Sequence, residues 1–221
     1  MSADSKSGLA ADRARAEELV SVSRETWKRL ERFVQWLVEW QQSRNLVAAS
    51  TLRQIWTRHV ADSLQLVPLA SEAKIWIDLG SGGGFPGLVL ACALVEHAGA
   101  RVHLIDSTAK KTAFLQHVTD ELRLPAQVHR ARIEDFIPAF HGAADVVTAR
   151  ALAPLPKLLP LAFPLLKKGA KGLFLKGQDV EAELTEASKY WTIRYNLVPS
   201  RTDPRGRIVS VESLQPRRSA P

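Results

Sequence analysis

The stretch IDLGSGGGFPG, residues 77–87, sets an acid and a series of glycines at regular spacing. Asp78-x-Gly80-x-Gly82-x-Gly84 makes one pattern, and Gly82-x-Gly84-x-x-Gly87 makes a second that overlaps it. Glycines this dense cost conformational entropy on folding, so they mark a backbone that turns sharply or is approached closely. A β-branched run precedes them and an apolar run follows, which reads as strand, loop and helix. The free N–H groups at such a helix start suit a ligand held against the loop. Two cofactor classes fit. A dinucleotide rests its pyrophosphate on the helix N-terminus, whereas S-adenosylmethionine lays its amino-acid portion over the loop. Asp78 favours the second, because a carboxylate at the strand end pairs with a cationic amino group and repels a pyrophosphate.

Further along, RVHLID ends in Asp106, placed to accept hydrogen bonds from ribose hydroxyls, which either cofactor class needs. In ARIEDF, the backbone around Ile133 and the carboxylate of Glu134 or Asp135 fall where an adenine would lie. The segment VVTARALAPL lacks the Asp/Asn-Pro-Pro-aromatic run used to methylate exocyclic amines. Carbon-5 methylation of a pyrimidine needs a thiolate, and the single cysteine, Cys92, lies on an apolar helix where it reads as core. A target that is already nucleophilic remains, and guanine N7 has a free lone pair. Alignment is then most of the catalysis, with Arg150 as the candidate catalytic residue, holding the guanine or the donor's carboxylate. N7 faces the deep, narrow groove of an RNA helix, so the base must stand in a loop or be splayed out.

The elements that position these residues follow from periodicity. Trp27, Leu30, Phe33, Val34, Leu37, Val38 and Trp40 share one helical face, and a second helix is expected over 51–66. Strands are expected at 74–79, 101–106, 127–131, 145–148 and 170–176. Between them come helices at 86–97, 108–122 (capped by Ser107) and 155–166, and a further helix at 180–190 follows the last strand. This alternation predicts an α/β fold with a mostly parallel sheet. The strands at 192–198 and 208–214, joined only by a loop, should form an antiparallel edge pair. Residues 1–18 and 215–221 read as loose tails, 19–70 as an N-terminal helical cap and 71–214 as the core of one globular unit.

Composition bounds the partners. The chain has 221 residues and a formal net charge of +7, which favours an anionic partner, nucleic acid first. No apolar run is long enough to span a bilayer, the polar N-terminus lacks a signal-peptide core and one cysteine excludes an internal disulfide framework, so a cytoplasmic protein without membrane contact is expected. A monomer is expected as well. The 6 histidines are scattered singly, so no metal site is expected.

Over roughly Trp27 to Leu214 the chain resembles the bacterial small-subunit ribosomal RNA methyltransferase G family, also called glucose-inhibited division protein B. The resemblance rests on ordered blocks: RNLVAAS, IWTRHVADSL, IDLGSGGGFPG, LIDSTAKKTAFLQHV, ARIEDF, VVTARALAPL and LFLKG. It implies a class I, Rossmann-like S-adenosylmethionine-dependent methyltransferase fold of seven strands. It also implies methyl transfer to guanine N7 at position 527 of 16S ribosomal RNA. Carried over by motif, donor contacts would come from Gly80, Phe85, Ile133, Glu134 and Arg150. The family commonly has alanine where Ile133 stands, a change that a backbone contact survives. His59 and Asp62 would face the cofactor mouth, and Lys176 and Arg207 would meet RNA phosphate. A nicotinamide-dependent oxidoreductase and a non-catalytic RNA-binding ribosome-assembly factor are the alternatives. The first would need a proton-handling residue near the loop, yet the 2 tyrosines come late in the chain.

Overall fold

Strands and helices alternate along the chain, and a computed structural model, describing residues 3–217, arranges the strands in one seven-stranded sheet. The strands are β1 (Ile75–Leu79), β2 (Arg101–Asp106), β3 (Ala126–Arg130), β4 (Val146–Arg150), β5 (Lys171–Lys176), β6 (Trp191–Pro199) and β7 (Arg207–Pro216). Their order is β3-β2-β1-β4-β5-β7-β6. All neighbours run parallel except β7, which is antiparallel to both β5 and β6, so the expected edge pair is present. Strand order reverses between β1 and β4, and that is where the C-terminal ends of parallel strands open a crevice.

The central strands are buried on both faces, which requires helices on both sides. On one side lie α1 (Ala3–Leu19), α2 (Arg24–Arg44), α3 (Asp62–Leu64), α4 (Gly87–Ala93) and α5 (Ala109–Glu121), sharing a core with Trp76, Val102 and Leu104. On the other lie α6 (Ile133–Ala139), α7 (Leu155–Leu166) and α8 (Val180–Ala187), packed on Ile77, Leu79, Val147 and Phe174. The helix α2 starts where Ser23 Oγ accepts from the Thr26 N–H at 3.1 Å and stops where Asn45 turns left-handed, φ 47.

Several expected boundaries are corrected. The loose tail over 1–18 is replaced, from Ala3, by α1, which buries Ala16 and seats the Arg13 guanidinium 3.8 Å from the Trp27 ring centre. Residues 1–2 and 218–221 lie outside the described residues; of the expected C-terminal tail, 215–216 extend β7. The helix expected over 51–66 divides into a 3-10 turn, Ala49–Gln54, a π-helical turn, Trp56–Ala61, and the short α3. Asp106, not Ser107, secures the start of α5, accepting from the Thr108 N–H at 2.8 Å. The helix α6 was not expected; Glu134 and Asp135 in its first turn favour it through the helix dipole.

Gly87 shows how tightly α4 is set. A Cβ there would collide with Leu104 and stand 2.6 Å from Asp78 Oδ2. Gly87→Ala is expected to lose about 2 kcal/mol of stability by overpacking, measured by denaturant unfolding. Unchanged stability would show that α4 has room to shift.

Candidate active site

The glycine loop leaves β1 at the switch point and is held from below. Ser81 N–H donates to the Ile105 carbonyl at 2.9 Å, and Gly82 N–H donates to Asp106 Oδ2 at 3.0 Å. Gly80, Gly82 and Gly84 all have positive φ (71, 55 and 95), a region that L side chains rarely adopt. Gly83 is covered from the N-terminal side, since a Cβ on it would stand 2.9 Å from the Leu46 carbonyl oxygen. Gln41 fixes that covering segment by exchanging two hydrogen bonds of 2.9 Å with the Val47 backbone. Above Gly80 lies Leu152, delivered by a left-handed turn at Ala151, φ 51.

A cavity of ≈ 770 Å³ opens over this loop. Among the expected residues, Gly80, Gly82, Phe85, His59, Asp62, Arg150, Lys176 and Arg207 line it. Asp78, Gly84, Asp106, Ile133 and Glu134 do not. Ile133 and Glu134 begin α6 at the same edge of the sheet. Asp106 is turned towards the loop, and each of its oxygens takes one N–H, which leaves each a free lone pair.

Two of the expected residues have partners within the protein. Asp78 is 1% exposed, with Oδ1 accepting from Thr148 Oγ1 at 2.9 Å and Oδ2 from the Gly87 N–H at 3.1 Å. It ties β1 to β4 and α4 beneath the loop. Burial pushes its pKa up to about 6. Lys176 is not a free cation for phosphate: its ammonium lies 2.6 Å from Glu183 Oε2 and donates to the Ala153 carbonyl at 2.9 Å. Glu183 also accepts from the Leu155 N–H at 2.7 Å, so the pair anchors the loop after β4.

Arg150 is the centre of the cavity's polar network. Its Nη1 donates to the Arg58 carbonyl at 2.8 Å, its Nη2 to His59 Nδ1, and Asp62 Oδ2 lies 3.8 Å away. The guanidinium sits 5.2 Å from the Phe85 ring centre. An arginine stays protonated, so His59 Nδ1 must accept, which leaves the proton on Nε2 to donate to Thr51 Oγ1 at 2.8 Å. Burial, then the neighbouring Arg150 and Arg58, press the His59 pKa down to about 3. That depression means His59 contributes fully to stability above its ordinary pKa of 6.5, and the contribution falls away as pH drops towards 3. Asp62 Oδ1 accepts from Thr202 Oγ1 at 2.8 Å and Gln65 Nε2 at 2.7 Å, which joins the cap to the β6–β7 loop. Burial raises the Asp62 pKa against the pull of Arg150 and of the Thr202 and Ser200 hydroxyls. Thr51, Arg58, Lys111 and Thr202 also line the cavity; Arg58 and Lys111 fall within family blocks, Thr51 and Thr202 outside them. Cys92 is buried and its thiol is pushed up to about 12, which keeps it a core residue.

A switch-point crevice with this glycine loop defines a class I, Rossmann-like methyltransferase, the fold that takes S-adenosylmethionine. Solved structures share that fold. An O-methyltransferase from Bacillus cereus, in complex with SAH, superposes with a TM-score of 0.62 at 14% identity, covering 95% of this chain and 100% of that one. The O-methyltransferase TomG from Streptomyces achromogenes, in complex with SAM, gives 0.60 at 15%, covering 96% and 100%. The family model described as rRNA small subunit methyltransferase G matches residues 26–203. A Bradyrhizobium relative named ribosomal RNA small subunit methyltransferase G is 57% identical over 207 residues, 94% of this chain and 93% of its own. A Rhodopseudomonas palustris relative of the same name is 53% identical over 214 residues, 96% and 92%. The chain belongs to the ribosomal RNA small subunit methyltransferase G family.

The His59 assignment has a direct test. An asparagine oxygen stands where Nδ1 stood, whereas a glutamine oxygen reaches the Nε2 position. His59→Asn keeps an acceptor for Arg150 and His59→Gln loses it. His59→Gln is therefore expected to unfold with about 1–3 kcal/mol less stability than His59→Asn in denaturant titration. The reverse order would place the important bond at Thr51.

Proposed function

We propose that this chain transfers a methyl group from S-adenosylmethionine to N7 of the guanine at position 527 of 16S ribosomal RNA, within the small ribosomal subunit. One observation carries the choice of a ready nucleophile: the acid and the histidine beside Arg150, Asp62 and His59, are already engaged. Asp62 holds Thr202 and Gln65, Glu183 holds Lys176, and Asp203 accepts from the Arg205 N–H, while His59 accepts from Arg150. Neither Asp62 nor His59 stands free as a general base beside Arg150, and guanine N7 needs none.

The residues present fit the donor. Gly80 and Gly82 let it lie on bare backbone, and a Cβ at Gly82 would meet only the loop's own Gly80 oxygen, at 3.7 Å. When bound, S-adenosylmethionine supplies a methyl group on a sulfonium, open to direct attack by a lone pair. In this reading Gly84 closes the loop's turn and Asp106 takes the ribose hydroxyls with its free lone pairs. The Ile133 backbone and Glu134 bound the adenine. Phe85 and Arg150 hold the donor's amino-acid end and the guanine in line, which is the alignment the reaction needs. The protein works in the cytoplasm as a monomer; no described helix is long and apolar enough to cross a membrane.

The donor is itself cationic, so surplus positive charge at the mouth serves the RNA. Arg58, Lys111 and Arg207 line the cavity with no carboxylate within ion-pair distance among the described residues. We place them on the phosphates that flank the target base.

Incubation with labelled S-adenosylmethionine and small subunits lacking the modification, followed by nuclease mapping and mass spectrometry, tests the reading. Label on N7 of that one guanine is expected. Label on another atom, or none while donor binds, would refute it. Arg58→Gln and Arg207→Gln should each flatten the salt dependence of RNA binding by about 0.7 in log–log slope, with SAH affinity unchanged. Unaltered slopes would remove these residues from the interface.

A further inference from the structure

We propose that α1, which lies outside the span matched by the family model, belongs to the active site: Asp12 is a positioning residue that sets Arg150 through the Trp56–Ala61 turn. The proposal rests on the reading above that Arg150 aligns the reacting groups.

The contacts run without a gap from α1 to the guanidinium. Asp12 Oδ2 accepts from the Trp56 N–H at 2.8 Å and the Thr57 N–H at 3.3 Å, and its Oδ1 accepts from Thr57 Oγ1 at 2.6 Å. These are the first donors of the π-helical turn. Nothing local caps them, because the preceding residue is Ile55. A carboxylate 44 residues upstream does so instead. Arg13, the next residue, seats α1 by lying over the rings of Trp27 and Trp56.

The same short segment carries the groups that hold Arg150. The Arg58 carbonyl, His59 Nδ1 and the Asp62 carboxylate all belong to residues 58–62, immediately after the capped N–H groups. Two of the guanidinium's three polar partners, the Arg58 carbonyl and His59 Nδ1, lie in this turn, and the third, Asp62, follows it directly. A π turn is a rare, short element, and the first donors of this one rely on an external cap. If the turn rotates, its carbonyl and imidazole acceptors move together, and Arg150 moves with them or loses them.

A double-mutant cycle in the full chain tests this. Single-turnover methyl transfer to small subunits lacking the modification is measured for the wild type, Asp12→Ala, Arg150→Ala and the double variant. Asp12→Ala is expected to lose about tenfold through misplacement, and the double variant should be no slower than Arg150→Ala alone. Asp145→Ala serves as a structural control. Asp145 also caps backbone N–H groups, those of Lys74 and Ile75 at 2.8 Å, but at the opposite end of β1. It should lower the melting temperature while its loss in rate multiplies with that of Arg150→Ala. Should Asp12→Ala not fold, Thr57→Val removes only the hydroxyl bond to Oδ1 and should show a smaller loss with the same non-additivity.

Multiplicative losses for Asp12 and Arg150 in an active wild-type background would overturn the positioning role and leave the functional reading standing. A folded, donor-binding wild type that transfers no methyl would overturn both.

Discussion

A half-buried guanidinium must keep its acceptors, and the architecture of this site follows from that constraint. A hydrogen bond to a charged group contributes about 1.5–3 kcal/mol, a large share of a domain's stability. Arg150 ends the central strand β4, at the point where strand order reverses, and its side chain reaches across to the helical cap. The cap is therefore held by more than apolar packing. His59 must be neutral, Asp62 must be buried beside the charge, and Thr202 and Ser200 must come over from the β6–β7 loop to satisfy Asp62. One charged group thus ties together the N-terminal cap, the centre of the sheet and its antiparallel edge.

The glycine loop meets a different requirement with the same economy. Its underside is bonded to the end of β2 through Ser81 and Gly82, one flank lies beneath Leu46, and Leu152 rests on Gly80. What remains open is the face towards the cavity. The loop is preorganised by contacts on its other sides, so donor binding does not have to pay for ordering it. Asp78 and Thr148, buried below, fix the spacing of β1, β4 and α4 that makes this possible.

Much of this was legible in the sequence. Strand–helix alternation, the amphipathic face of α2 and the antiparallel pair all have strong periodicity, and the family blocks single out Arg150, His59 and Asp62. Most of the misses depend on partners that only the fold brings alongside. Asp12 carries no signal without Trp56 and Thr57 opposite it. In α1 the apolar residues are small or sparse, so its helix looked like a polar tail. Asp78 sits at the right place for a donor contact, but its burial is decided by α4 closing over it. Lys176 reads as a free cation until Glu183, on the following helix, is seen beside it. Lys111 and Arg58 are ordinary basic residues until the fold turns them towards one cavity.

The protonation state of His59 tests this account most directly, because the Arg150 network stands only if that ring accepts through Nδ1. Nitrogen-resolved NMR of the six imidazoles, assigned by difference with His59→Gln, reports it. With a pKa near 3, His59 should show the Nε2-protonated neutral tautomer and no titration from about pH 8 down to pH 5. Titration with a midpoint near the ordinary 6.5, or a proton on Nδ1 at neutral pH, would mean that His59 does not hold Arg150.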